Sequence, residues 1–161
     1  MLFFSFLSAI LLHECGHLIG LLWAGAKIVS YRLSPFGITV THTHLASRRH
    51  LFTVAALGPL FSLIGYIATH HSDSFQMFSL ISLLLGSFNL LPIPSLDGEK
   101  MMKALLFSCP RLRKLVSALA LFLLWLVGCY VFWILDGSPS LFLLALTLFC
   151  EAYRQKTIDN S

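Results

Sequence analysis

His13, Glu14 and His17 fall within five residues, His13-Glu14-Cys15-Gly16-His17, inside an otherwise apolar stretch. On an α-helix, residues four apart lie one turn up on nearly the same face, so both imidazoles can turn a nitrogen toward one metal ion. Glu14 follows around the helix by about 100°. There it can reach a water at that metal without being a ligand, which is the placement a general base needs. Cys15 sits about 200° from His13 and should face packing or lipid. The spacing points to zinc-assisted hydrolysis.

Two histidines leave such a site one protein ligand short, because catalytic zinc usually keeps three plus a water. The chain has seven acidic residues. Asp97 stands out among them, at the end of Asn89-Leu90-Leu91-Pro92-Ile93-Pro94-Ser95-Leu96-Asp97-Gly98, where two prolines break a helix and Gly98 permits a tight backbone. Glu99 should point elsewhere. A carboxylate from a second helix would supply coordination and also offset the +2 charge in a low-dielectric setting.

The elements that position these residues follow from composition. Of 161 residues, 57% are apolar and 11% charged, against about 45–50% and about 25% in soluble domains. An ordinary soluble globular domain is thereby excluded. Five apolar blocks, at about 2–24, 51–69, 75–91, 115–135 and 139–153, read against the roughly 17–25 residues a spanning helix needs. The last is short for a full crossing. The first lacks a basic leader and continues apolar through Trp23 with polar residues mid-span, so it reads as a span and not as a signal peptide. The expected fold is all-α and polytopic, one membrane-embedded domain over 1–161, with neither a PDZ nor a CBS domain.

All eleven basic residues lie in the 25–50 and 92–114 connections or after the fifth block, and none lies around Asp73 or Asp136. By the positive-inside rule the N-terminus is outside and the C-terminus cytoplasmic, in a multi-pass protein of the cell membrane. The first and third spans then run the same way, which brings His17 and Asp97 to similar depth. Orientation accounts for the net charge of +4, so no nucleic-acid partner is expected. The four cysteines, Cys15, Cys109, Cys129 and Cys150, form no CxxC and suggest neither a disulfide framework nor a zinc knuckle.

Residues 27–44 are rich in β-branched types, and Ser34-Pro35-Phe36-Gly37 fits a type I turn, so a β-hairpin is expected after the first span. A substrate helix must unwind before its backbone can be attacked, and a free strand edge could hold it extended. His42, His44, His70 and His71 read as loop or interface residues. Gly58-Pro59 should mark a kink or a close helix approach. Phe122, Trp125, Phe132 and Trp133 should face lipid or its interface.

HECGH in the first span and NLLPIPSLDG after the third, joined by SPFGITV and ALGPL, resemble the site-2 protease family of intramembrane zinc metalloproteases. Within it, LFCEAYRQK resembles the sporulation branch, which processes the precursor of a late sigma factor. The resemblance implies one zinc per chain held by His13, His17 and Asp97, with Glu14 activating the water. It implies that Asn89 donates a hydrogen bond to the developing oxyanion or positions substrate. It also implies membrane lipid, a membrane-associated protein substrate and membrane inhibitors or regulators as partners. Glu99 departs from the further glycine that many members carry, and the CBS domain common in the sporulation branch is not expected here.

The expected activity is an intramembrane zinc endopeptidase cutting near the cytoplasmic face. The competing class is a non-catalytic membrane protein, either a metal carrier or a substrate-binding pseudoprotease. A carrier should show ionisable residues along a path across the bilayer, and a pseudoprotease should have lost a ligand or the base. Neither pattern is present in the sequence.

Overall fold

The computed structural model describes residues 2–26, 28–34, 37–42, 47–134 and Thr147. Helix α1 (Leu2–Trp23) leads into two antiparallel strands, β1 (Ile28–Ser34) and β2 (Gly37–His42). Helix α2 (Arg48–Thr69) follows, capped by the Ser47 side chain, which accepts from the His50 N–H. A short 3₁₀ turn (Asp73–Phe75) starts α3 (Gln76–Asn89), and α4 (Asp97–Leu105) and α5 (Pro110–Ile134) complete the described elements. The turn at 35–36 and the expected fifth span at 139–153, apart from Thr147, lie outside the described residues.

Three of these helices, α1, α2 and the Pro110–Tyr130 part of α5, are long and apolar enough to cross a membrane. The third expected span differs. Its helix has 14 residues, or about 21 Å at 1.5 Å per residue, against a hydrocarbon core of about 30 Å. The regular helix ends there because Pro92 and Pro94 cannot continue the ladder, and an irregular segment carries the chain on to α4. What the sequence presents as a single apolar block is a short helix plus an irregular segment packed inside the protein, where non-helical backbone at membrane depth is tolerated.

Helix association rests on small residues. The buried positions of α1 include Ala9, His13, Gly16 and Gly20, those of α2 include Ala55, Gly58, Ser62 and Gly65, and those of α3 are Ser79, Ser82 and Gly86. Each set repeats at three or four residues and so forms one stripe along its helix. In lipid, close backbone approach replaces the hydrophobic drive that packs soluble helices. The approach here is tight. A Cβ on Gly16 would strike the Leu57 carbonyl, and one on Gly20 would come within 3.0 Å of the Val54 Cα. The large apolar side chains point outward instead, among them Phe3, Phe4, Ile64, Ile67, Leu84 and Trp133.

The segment joining α3 to α4 is held by its own turns. The Leu96 N–H donates to the Ile93 carbonyl at 3.1 Å, with Pro94 second and Ser95 third at φ +76°. Proline at the second position and a positive φ at the third describe a type II turn, with serine where glycine is usual. Ile93 and Leu96 are buried against Phe88, Leu91, Ala120, Leu121 and Leu124, so the turn is pinned under α5. Gly98 then lets α4 start against the chain before it, since a Cβ there would strike the carbonyls of Leu90 and Leu91.

Candidate metal centre

The turn delivers Asp97, the first residue of α4, to the middle of α1. His13 is 4% and Asp97 3% exposed. His13 Nε2 lies 3.1 Å and His17 Nε2 3.0 Å from Asp97 Oδ2, and the two Nε2 atoms are 3.2 Å apart. Among the described residues, this is the group of histidine, cysteine and acidic side chains that converges well enough to hold an ion.

The outer nitrogens decide what the inner ones present. His17 Nδ1 is 2.8 Å from the Val54 carbonyl, which can only accept, so that nitrogen carries a proton. His13 Nδ1 is 2.9 Å from Ser62 Oγ, and donation to that hydroxyl leaves its Nε2 bare as well. Two neutral imidazoles would then aim lone pairs at each other and at a carboxylate oxygen at about 3 Å, an arrangement that repels unless a cation sits among them. Donors at zinc bond lengths of about 2.0–2.1 Å in a tetrahedron stand about 3.3 Å apart. The observed 3.0–3.2 Å edges suit that ion, and the N/N/O donor set does too.

Asp97 is a carboxylate at neutral pH. Its second oxygen, Oδ1, accepts from Lys100 Nζ at 2.8 Å. Gly58 closes the site from α2, because a Cβ there would run into the His17 ring and come within 2.9 Å of His13 Nε2. The close approach expected at Gly58-Pro59 is thus made against the histidines themselves.

The remaining candidates separate cleanly. Glu14 is half-buried on the adjacent face of α1. The Asn89 amide donates to the Leu85 carbonyl one turn back at 3.0 Å. Glu99 pairs with Lys103 at 2.9 Å and takes no part in the converging cluster. The His70 and His71 rings meet at a tilt, centroids 3.6 Å apart, beyond the end of α2, and Cys15 is exposed on the outside of α1. The side chains of His42 and His44 lie outside the described residues.

Sequence reasoning missed Val54, Ser62 and Lys100. The small residues of α2, recurring at three and four, could have marked Ser62 as facing α1. The i, i+3 spacing could have marked Lys100 as a partner of Asp97.

An HExxH pair and an aspartate from another helix, brought together inside an apolar bundle, define a polytopic membrane protein built around two histidines and one carboxylate that could hold a metal ion. Residues 65–135 match the family model described as Peptidase family M50. The chain is 30% identical to stage IV sporulation protein FB of Bacillus subtilis over 93% of its own length and 58% of that protein's. It is also 30% identical to a zinc metalloprotease of Methanocaldococcus jannaschii, over 65% of this chain and 34% of the relative. The fold matches the site-2 protease from Methanocaldococcus jannaschii with a TM-score of 0.72 at 24% identity, covering 95% of this chain and 76% of that one. The chain is thus similar in sequence to these metalloproteases, with the M50 match over residues 65–135, and similar in fold to the site-2 protease. It spans less than two thirds of the length of either curated relative.

Proposed function

We propose that this protein is an intramembrane zinc endopeptidase that hydrolyses a peptide bond of a membrane-associated protein near the cytoplasmic face. The observation that carries the reading is the triangle of His13 Nε2, His17 Nε2 and Asp97 Oδ2, with edges of 3.0–3.2 Å, buried among apolar helices. Zinc held there supplies a Lewis acid for the scissile carbonyl and lowers the pKa of the attacking water to about 7. Glu14 accepts the proton as the water oxygen bonds to the carbonyl carbon. It returns that proton to the amide nitrogen as the carbon–nitrogen bond breaks. Asn89, held to its own helix through one amide hydrogen, keeps the other for the oxyanion or for the substrate backbone.

The strand pair β1 and β2 offers an edge to which an unwound substrate segment can add as a further strand. Residues 1–161 act as one membrane-embedded unit with about five spans, the N-terminus outside and the C-terminus cytoplasmic, as the distribution of basic residues requires. The similarity to stage IV sporulation protein FB supports a place in sporulation, and the substrate proposed is a sporulation sigma-factor precursor, with membrane inhibitors or regulators as further partners.

Glu14→Gln is the direct test. The variant should keep about one zinc per chain and lose cleavage of a candidate sigma-factor precursor in reconstituted membranes. Loss of metal together with activity would make Glu14 a ligand, and retained cleavage would remove the mechanism.

A further inference from the structure

Asp97 has two carboxylate oxygens, and they face different partners. Oδ2 meets both histidines, whereas Oδ1 accepts from Lys100 Nζ at 2.8 Å. The pairing is between unequal groups, since the Asp97 side chain is 4% exposed and the Lys100 side chain 49%. Lys100 therefore reaches in from the open side of α4 with an ammonium that the buried carboxylate would otherwise lack. The spacing is i, i+3 on one helix, so the contact survives any movement that leaves the first turn of α4 intact. The neighbouring Lys103 is committed elsewhere, to Glu99 Oε1 at 2.9 Å.

Resting on the metal reading above, we infer that Lys100 is a positioning residue that occupies Asp97 Oδ1 and so restricts the aspartate to one-oxygen coordination through Oδ2. An aspartate free at both oxygens can close on a divalent ion with two. A second bond would fill the position that a hydrolytic site must leave open for water or substrate. Lys100 also draws electron density from the carboxylate, which leaves the ion a stronger Lewis acid than an unpaired aspartate would. Partners of metal ligands outside the coordination shell commonly govern affinity or activity by 10–100-fold. Ser62 and the Val54 carbonyl fix the imidazoles in the same way, and Lys100 completes the set for the third ligand.

Cobalt(II) reads this coordination directly, because its visible d–d bands weaken as coordination rises from four to five. The full-length protein in detergent micelles is loaded with cobalt, and zinc affinity is measured separately by chelator competition. Wild type and Lys100→Arg should give strong four-coordinate bands. Lys100→Met should give weakened bands and about tenfold higher zinc affinity, since the freed oxygen adds a bond and the carboxylate regains its electron density. Lys103→Met, which removes the same charge one turn away, should match wild type. Unchanged bands and affinity in Lys100→Met would overturn the inference, and so would an equal change in Lys103→Met, which would reduce it to a general charge effect. If wild type itself takes up neither zinc nor cobalt, the metal reading fails, a result distinct from either of these.

Discussion

Gly58→Ala replaces one hydrogen with a methyl group at the point where α2 faces the two imidazoles. The added methyl carbon would run into the His17 ring and lie 2.9 Å from His13 Nε2, short of ordinary contact by about 0.6–1 Å. The obstruction cannot be relieved by a flexible side chain. His17 is tied through Nδ1 to the Val54 carbonyl, one turn before Gly58 on the same helix, and His13 is tied to Ser62, one turn after it. Moving α2 away breaks both hydrogen bonds, and rotating the rings spoils the triangle. Overpacking of this kind costs about 1–3 kcal/mol. Because the strain falls on the geometry in which the donors converge, it should emerge as about a 5–150-fold loss of zinc affinity. Chelator competition on purified protein measures it, and far-UV circular dichroism establishes that the helices remain. Wild-type affinity in Gly58→Ala would refute the reasoning, since the imidazoles could not then meet beneath α2.

Asp97→Ala should lose zinc and cleavage together, whereas Glu99→Ala, which removes only the pair with Lys103, should keep the metal. Normal zinc content in the Asp97 variant would detach α4 from the site. Cysteine labels placed near Asp73 should react from outside the cell, and labels near Arg48 and Arg113 only after the cytoplasmic side is opened. The reverse pattern would invert the proposed orientation and the side on which cleavage occurs.

The convergence of His13, His17 and Asp97 was legible in the sequence for two different reasons. His13 and His17 are related by the 3.6-residue repeat, a local property that any helix imposes, so their shared face follows once the block is helical. Asp97 was reached by elimination, since acidic residues are few and this one follows a helix break near the expected depth. Long apolar blocks also announced the spanning helices α1, α2 and α5, because lipid rewards composition directly. Hydropathy could not show that the regular helix of the third block ends at Asn89 or that a pinned turn follows it. Burial inside protein and exposure to lipid select the same residues.

Only the tertiary structure decided what surrounds the triad. Ser62 lies 49 residues from His13 and Val54 lies 37 from His17, so no local periodicity links them. A serine in an apolar helix and a backbone carbonyl carry no sign in the sequence of the imidazole they will meet. Gly58 likewise shows in the sequence as a possible close approach, but what it approaches depends on how α1 and α2 dock. The helical repeat writes the spacing of the two histidines into the chain, while their tautomers and the closure by Gly58 arise from contacts that exist only once the helices are assembled.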